Sequence, residues 1–181
     1  MSKGVAITGM GIISAIGNNV EENYTSLIEG KIGISKISKI KTIHKDSIMV
    51  GEIEFTNQEL EEQLGLSPDN NYSRTALLGS IAAKQALENA KILDINNYKT
   101  GLISSTSVGG MDMTEAFFYD YFEDEATHKY IEGHHAGDST QKIAEQLGIE
   151  QSFVTTISTA CSSAANAIML GARLIKSGQL D

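Results

Sequence analysis

Apolar residues recur at helical spacing in three parts of the first half of the chain. The pattern from Asn19 to Glu29 keeps apolar side chains on one side, and Gly30 follows, which predicts an amphipathic helix with a glycine stop. A short acidic helix is predicted from Asn57 to Leu64. The stretch from Arg74 to Ala90 combines leucines, isoleucine and many alanines at helical spacing, which predicts a core helix packed closely on a sheet.

Between these helices, β-branched and apolar runs indicate strands. Short strands are predicted at Val5 to Thr8 and at Val50 to Phe55, and a buried strand at Thr100 to Ser105. A further buried strand is predicted from Val154 to Thr159. The alternation of apolar and basic residues from Ile32 to Ile48 indicates an irregular surface excursion with short strands, whose lysines either form a solvated face or belong to a docking patch.

The chain is organised around the stretch from Phe153 to Gly178, which contains the single cysteine, Cys161. The part from Ala164 to Lys176 has no proline and ends in Lys-Ser-Gly, which predicts a mostly buried helix with a cationic last turn. A strand that turns sharply into a helix places Cys161 near free backbone N–H groups and the positive end of the helix dipole. This position favours a thiolate and can receive an oxyanion. The alternative is that Cys161 is a small buried apolar side chain.

The residues around Cys161 resemble a known motif. The run STACSSAANAI is similar to the nucleophile motif of the β-ketoacyl–acyl carrier protein synthases, the condensing enzymes of fatty acid and polyketide synthesis. Four further stretches resemble parts of that family in the same order along the chain: Val5 to Gly17, Asn23 to Ile34, Ser73 to Ala90, and Gly101 to Gly110. The resemblance therefore covers the whole chain.

The resemblance implies an α/β fold of the thiolase-like layered α-β-α type. We expect residues 1–181 to form a single N-terminal ketosynthase domain with a mixed sheet and a buried helix after the nucleophile, and the C-terminal half of the enzyme to be absent. The family's two catalytic histidines would lie in that half. We therefore expect that the 181 residues alone do not catalyse condensation.

The implied reaction is a decarboxylative Claisen condensation. Cys161 would accept an acyl group from a carrier thioester, and malonyl carrier protein would lose carbon dioxide to give the attacking carbanion. The backbone N–H of Cys161 would form half of an oxyanion hole. The resemblance places Val108 against the acyl chain, and Ser107 and Ala160 with it in the substrate-binding region; Val108 as an ordinary turn residue is the alternative.

Several residues depart from the family pattern and suggest a divergent member. Serines replace the usual glycines of the pocket turn at Ser105 and Ser107, and Ala164 replaces the glycine often found three residues after the cysteine. The Gly-Pro that usually precedes the nucleophile strand is Ser152-Phe153. These changes leave the assignment of Cys161 intact.

Three functions other than a condensing enzyme are consistent with parts of the sequence. A non-catalytic partner subunit like the chain-length factors would share the fold, but typically lacks the cysteine. A thiolase would use coenzyme A, whereas STACSS and the Gly9-Met10-Gly11 opening favour the carrier-protein branch. A dinucleotide-binding module would need a third glycine where Ser14 stands and a later acidic residue, so a tight turn with positive φ is the preferred interpretation of Gly9 and Gly11.

Composition and net charge limit the class of protein and the kinds of partner that fit this chain. A hydrophobic fraction of 41% and a charged fraction of 20% fit a soluble globular protein, and a net charge of −9 argues against nucleic acid or an anionic membrane as the main partner. Docking of an acyl carrier protein would need a local patch. One cysteine excludes an internal disulfide and fits a reducing cytoplasm, and no apolar run indicates a signal peptide or membrane span. We expect no metal and no cofactor, and a homodimer in the full-length enzyme.

An aromatic segment and a pair of adjacent histidines remain to be interpreted. Methionines, phenylalanines and tyrosines interleave with acids from Asp112 to Tyr130, which indicates a partner interface, a lid over an acyl tunnel, or packing within the domain. His134 and His135 do not match the family's histidine motifs, so a structural or exposed role is expected for them.

Overall fold

The computed structural model describes residues 4–149 and 153–181. The described elements are seven α-helices and four strands, in the order α1 Val20–Glu29, β1 Ser35–Lys36, β2 Met49–Val50, α2 Asn57–Leu64, α3 Arg74–Asn89, β3 Gly101–Ser105, α4 Met111–Phe117, α5 His128–Ile131, α6 Ala136–Gln146, β4 Phe153–Ile157 and α7 Ser163–Lys176. The α/β class expected from the sequence is confirmed.

The strands form two small sheets. β1 and β2 pair antiparallel, while β3 and β4 pair parallel, with Gly101 opposite Phe153 and Ser105 opposite Ile157. Because the two strands of a parallel pair end at the same edge, the turn after Ser105 and the turn after Ile157 lie side by side. A hydrogen bond from the Thr106 N–H to the Ile157 carbonyl (3.3 Å) continues the pairing into these turns.

The core lies among α2, α3 and α6. Leu60 and Leu77 are fully buried, and Leu64 and Ile81 complete the cluster between α2 and α3. On the other side of α3, Ile143 of α6 is buried as well. The predictions of a core helix from Arg74 and of an acidic helix at α2 are thus confirmed. The expected packing of the core helix on a sheet is wrong, because α3 packs between α2 and α6.

Hydrogen bonds from side chains fix where these two helices begin. The Ser73 hydroxyl accepts from the Ala76 N–H (3.3 Å) at the start of α3. At the start of α2, Thr56 and Glu59 form a reciprocal capping box. The serine and threonine caps therefore set the first residue of each of these two core helices.

The expected burial of the helix after the cysteine is not confirmed. α7 forms over the predicted residues, but its buried residues are Ser163, Ala167 and Leu174, whereas Ile168 is 72% exposed. The reason is that α7 packs on β3 and β4. Nothing among the described residues covers its other apolar side, so the helix is buried on one face.

α1 is present as predicted, but its apolar side is exposed. Leu27 and Ile28 are 68% and 71% exposed, while Asn23 and Ser26 are buried. Asn23 donates to the Gly17 carbonyl (2.8 Å) and Ser26 to the Ile16 carbonyl (2.6 Å). These polar bonds hold the loop before α1 against the helix.

The predicted strand at Val5 to Thr8 is wrong: this stretch has no strand pairing in the structure. The chain that follows it lies along α3 instead. The Met10 N–H donates to the Asn89 side chain and the Ile12 N–H to the Gln85 side chain, both at 3.1 Å. Alternate N–H groups are thus satisfied by helix side chains rather than by a neighbouring strand.

Close packing on α3 also explains the opening glycines. Neither Gly9 nor Gly11 has a positive φ, so the turn interpretation made from the sequence is wrong. A Cβ at Gly11 would overlap the Ala82 carbonyl oxygen, and one at Gly9 would overlap the Ala86 carbonyl oxygen. The glycines are needed because the backbone approaches the helix.

The predicted strand at Val50 to Phe55 is also wrong in its length, since pairing ends at Val50. Its partner strand is only two residues long. Beyond it, the carbonyls of Ile53 and Phe55 accept hydrogen bonds from the Arg74 guanidinium, at 3.5 and 3.0 Å. The backbone of this segment is therefore bound to α3 rather than to a sheet.

Candidate active site

Cys161 lies in the short connection between β4 and α7. The residues Ala160–Ser162 form one 3₁₀ turn, Ser162 caps α7, and Cys161 stands immediately before that cap. The thiol is free and exposed. The structure therefore places Cys161 at the start of a fourteen-residue helix, at the end of the sheet, as the strand–turn–helix pattern predicts.

The residue before the cysteine has an unusual backbone. Ala160 has φ of +51°, in the left-handed region, and is one of two such non-glycine residues among those described, with Lys91. A side chain with a Cβ is disfavoured in this conformation. The chain thus turns sharply at Ala160, and this turn directs the backbone of Cys161 away from the strand.

Hydroxyl groups at the start of α7 hold this turn. The Ser163 hydroxyl accepts from the Thr159 N–H (2.8 Å) and donates to the Ala160 carbonyl (2.7 Å). The Ser162 hydroxyl donates to the Thr159 carbonyl (2.8 Å), and the Asn166 amide donates to the Thr159 hydroxyl (2.9 Å). Sequence reasoning missed these roles; the serines and Asn166 within the motif were the available signal.

The second turn at this edge follows β3. The Thr106 hydroxyl accepts from the Gly109 N–H (3.2 Å), and the Gly109 carbonyl accepts from the Thr75 hydroxyl (3.2 Å) on α3. Gly109 has φ of +74°, which glycine adopts without strain. Ser107 and Val108 form the tip of this turn, and Val108 is 54% exposed.

Parallel pairing of β3 and β4 brings the four predicted site residues to one edge of the sheet. Ser107 and Val108 follow β3, and Ala160 and Cys161 follow β4. The turns that carry them are adjacent, since Thr106 and Ile157 are hydrogen-bonded. This arrangement could place an acyl chain beside Val108 while its carbonyl carbon meets the thiol.

A cavity of about 820 Å³ lies next to this edge but does not include it. Apolar side chains from α3, β3 and α7 line most of it, among them Leu87, Ile103 and Ile168. Neither Cys161 nor Val108 is part of the lining. The cavity was not predicted from the sequence. Its signal is the set of small residues in and next to α3 and α7 that line it: Ala83, Ala86, Ala90, Ala164, Ala167 and Gly171.

His134 and His135 lie in the segment that packs against the turn after β3, where the Gly110 N–H donates to the Gly133 carbonyl (3.0 Å). The His134 ring nitrogen Nδ1 is 3.0 Å from the Thr114 hydroxyl, and the rings of His134 and His135 meet edge to face. Both side chains are exposed. This agrees with the expected structural or exposed role.

The aromatic segment is only partly packed. Phe117 stacks on Tyr130 with centroids 4.2 Å apart, and Tyr121 stacks on His128 at the same distance. Tyr119 and Phe122 remain largely exposed. Packing within the domain accounts for the two stacked pairs. For Tyr119 and Phe122, a partner interface and a lid remain the alternatives.

Other kinds of site find no support in the part of the chain that the structure describes. Within residues 4–149 and 153–181, no group of three or more His, Cys, Asp or Glu side chains is arranged to hold a metal ion. Over the same ranges, no helix is both long and apolar enough to cross a membrane.

Comparison with known proteins decides the family. Residues 2–181 match the family model of the β-ketoacyl synthase N-terminal domain. The chain belongs to the β-ketoacyl synthase family. The resemblance stated from the nucleophile motif is therefore confirmed.

Relatives with a named activity match along almost the whole chain. The 3-oxoacyl-[acyl-carrier-protein] synthase 2 of Staphylococcus aureus is 26% identical over 187 aligned residues, which cover 99% of this chain and 44% of the relative. The chain thus spans less than half the length of that curated relative.

Solved structures agree on the fold. A structure described as the ishigamide ketosynthase/chain length factor matches with a TM-score of 0.82 and 22% identity, over 100% of this chain and 46% of the other. A type II polyketide synthase ketosynthase, solved with its acyl-carrier protein, matches with a TM-score of 0.70 and 20% identity, over 100% and 44%. At these identities the likeness shows the thiolase-like ketosynthase fold.

Proposed function

We propose that this chain is the nucleophile-bearing N-terminal part of a 3-oxoacyl-[acyl-carrier-protein] synthase, and that Cys161 carries the acyl group. The observation that carries the proposal is the exposed thiol in the strained turn between β4 and α7, beside the turn that bears Val108. Membership of the family supplies the reaction class.

In the first half-reaction, the Cys161 thiolate attacks the carbonyl carbon of an acyl carrier thioester. A carbon–sulfur bond forms, the carbonyl oxygen becomes an oxyanion, and collapse of this intermediate expels the carrier thiolate. The Cys161 N–H, at the start of α7, is our candidate donor to that oxyanion. The positive end of the α7 dipole favours both the thiolate and the oxyanion.

In the second half-reaction, a malonyl thioester loses carbon dioxide and leaves an enolate. The enolate carbon attacks the acyl thioester on Cys161, a carbon–carbon bond forms, and the Cys161 thiolate departs. The enolate oxygen needs hydrogen-bond donors, a role that the family resemblance gives to two histidines outside the motifs matched in this chain. His134 and His135 are not proposed for it.

The acyl chain of the substrate would lie along the turn after β3. Val108 is exposed there, and Ser107 precedes it, so both can contact an apolar chain without a rearrangement of the core. Ala160, with only a methyl group, leaves the approach to the thiol open. We propose these three residues as the substrate-binding part of the site.

An acyl carrier protein is the proposed donor. The chain carries a net charge of −9, so contact with an acidic carrier requires a local basic surface. The loop between β1 and β2 carries exposed Lys39, Lys41 and Lys45, none of which forms a salt bridge to a described residue. This loop is the candidate docking patch; a solvated lysine face is the alternative.

Intact-protein mass spectrometry tests the proposal. The chain is incubated with acyl carrier protein thioesters and, separately, with the matching acyl-CoA, and the adduct is located by peptide mapping. We expect an acyl adduct on Cys161 that forms faster from the carrier thioester and that is absent in Cys161→Ala. No adduct from either donor, with the thiol still open to iodoacetamide, would favour a non-catalytic subunit, and a preference for coenzyme A would favour a thiolase-like enzyme.

A further inference from the structure

The strained turn before Cys161 requires something to hold it. Ala160 has a left-handed backbone, which a residue with a Cβ keeps only when the surrounding structure imposes it. The torsion angles of Ala160 set the direction of the next peptide group, which contains the Cys161 N–H. Anything that fixes Ala160 therefore fixes the direction of that N–H and of the thiol.

One buried hydroxyl holds both sides of this turn. The Ser163 side chain accepts from the Thr159 N–H and donates to the Ala160 carbonyl, at 2.8 and 2.7 Å. The N–H belongs to Thr159 and the carbonyl to Ala160, so one hydroxyl oxygen bonds to the first and last polar backbone groups of this pair of residues. Ser163 is only 4% exposed, so water does not readily replace it.

The neighbouring polar groups restrain a different residue. Ser162 and Asn166 bond to the carbonyl and the hydroxyl of Thr159. Among the side chains of the described residues, the hydrogen bond to Ala160 comes from Ser163. The backbone N–H of Ser163 donates to the same Ala160 carbonyl, and the hydroxyl adds a second bond to that carbonyl and the bond from the Thr159 N–H. The left-handed conformation is thus linked to Ser163 more directly than to the rest of the network.

We infer that Ser163 is a positioning residue, whose hydroxyl holds Ala160 in the left-handed conformation and so aims the Cys161 N–H and thiol at the substrate carbonyl. The inference rests on the proposed function of Cys161. It assigns Ser163 no contact with the reacting atoms. Its effect should appear in steps that need the oxyanion donor and not in reactions of the thiol alone.

Two reactions of the same thiol separate these effects. Acylation by a carrier thioester passes through a tetrahedral oxyanion, whereas alkylation by iodoacetamide is a direct displacement with no oxyanion to stabilise. The ratio of the two rates is measured for wild type, Ser163→Ala and Ser163→Thr, across a series of pH values. Thermal unfolding checks that each variant is folded.

Ser177→Ala is the matched control. Ser177 follows the other end of the same helix, and its hydroxyl donates to a carbonyl three residues earlier (2.9 Å), as the Ser163 hydroxyl does. It therefore reproduces the loss of a hydroxyl and of one backward hydrogen bond, far from Cys161 in the helix. Ser177 is exposed whereas Ser163 is buried, so the unfolding measurement on each variant accounts for the added cost of losing a buried hydroxyl.

We expect Ser163→Ala to lower the acylation rate about tenfold or more while alkylation changes less than about twofold. Ser163→Thr, which keeps the hydroxyl, and Ser177→Ala should stay close to wild type in both reactions. Equal acylation of wild type and Ser163→Ala, or a parallel fall of both reactions, would overturn the inference and leave the proposed function standing. Absence of acylation in wild type would overturn both.

Discussion

The two longest helices of the chain show how one sequence pattern can lead to different packing. α3 and α7 are both rich in alanine and aliphatic residues, and both are predicted from the sequence as buried. In the structure, α3 packs between α2 and α6, while α7 packs on β3 and β4 along one face. Periodicity identifies which side of a helix is apolar, but not whether another element covers it.

The same difference separates the packed core from the candidate active site. The face of α3 holds Leu77 and Ile81 in a cluster with α2. The start of α7 holds a strained residue, an exposed thiol and a hydroxyl network. The strained turn lies at the edge of the β3–β4 pair, and its conformation persists because the folded structure around it imposes it.

The largest expected effect is a direct test of this contrast. Leu77→Ala removes a fully buried side chain between α2 and α3, so it should lower the free energy of unfolding by about 2–5 kcal/mol. Ile168→Ala, at a position of α7 that is 72% exposed, should change it by less than about 0.5 kcal/mol. Urea unfolding followed by circular dichroism measures both. Comparable losses at the two positions would mean that α7 is covered as well as α3 is.

Much of the helical structure could be predicted because its signals are local. Gly30 and Gly65 end α1 and α2 with φ of +67° and +68°, and Thr56 caps α2. The strands were harder to predict, because a strand depends on a partner distant in sequence. β3 and β4 form close to their predicted bounds, but the prediction that they are buried is wrong, since their residues are only partly buried or exposed. Val5 to Thr8 has the composition of a strand, but the chain after it binds the side chains of α3 instead.

The second prediction tests how closely that opening segment approaches α3. Gly11→Ala would push a Cβ into the Ala82 carbonyl oxygen, so either the segment or the helix must move. We expect a loss of about 1–3 kcal/mol in the free energy of unfolding, as for other overpacked sites.

Gly4→Ala is its control, because no atom lies within 4 Å of a Cβ there. Its effect should stay within about 0.5 kcal/mol. Hydrogen exchange of the Met10 and Ile12 N–H groups shows whether the segment has detached. Full protection of these groups in Gly11→Ala, with unchanged stability, would contradict the close approach.

At the candidate site, the position of Cys161 could be predicted from the sequence, whereas the conformation of its turn could not. The motif around Cys161 predicted a strand–turn–helix position, which the structure shows. The left-handed conformation of Ala160 could not be predicted, because alanine has no preference for it. The role of Ser163 depends on where its hydroxyl points, which a run of small polar residues does not reveal.

A third prediction measures the strain at the start of α7. Ala160→Gly removes a penalty of about 1–2 kcal/mol for the left-handed backbone. It also gives the unfolded chain more freedom, which costs about 0.4–1 kcal/mol. We expect a net gain in the free energy of unfolding of between about 0 and about 1.6 kcal/mol.

Ala165→Gly, on the exposed surface of α7 itself, is the matched control with the opposite sign. Glycine inside a helix should lower the free energy of unfolding by about 0.5–1 kcal/mol. Thermal unfolding of both variants measures the difference. If both substitutions destabilise the chain equally, Ala160 is not strained in the folded protein.

The smallest effect concerns α6, the helix that packs on α3. Burial raises the pKa of Asp138, and repulsion from Glu145 and Glu132 adds to this, against attraction from Lys142 and His135. Its Oδ2 atom is buried without a hydrogen-bond partner among the described residues. The charged form of this carboxyl group is therefore less favourable in the folded chain than in the unfolded one.

The sign of the resulting pH dependence follows from linkage. Because the folded pKa lies above the ordinary value of 3.8, the folded chain holds the proton more tightly, and stability falls as pH rises from 3.8 through the folded pKa. Asp138→Asn, which does not titrate, should lack this fall, so its advantage over wild type grows with pH across that window and then stays constant. Solvent screening and the favourable position of a carboxylate in the first turn of α6 limit the effect to about 0.5 kcal/mol. Urea unfolding of both proteins measures the difference in their free energies of unfolding. The measurements run from about pH 3.5 to about pH 7, a range over which carboxyl groups titrate. A gap that narrows with rising pH would show that the folded chain stabilises Asp138 as a carboxylate, and that its burial against α3 does not raise its pKa.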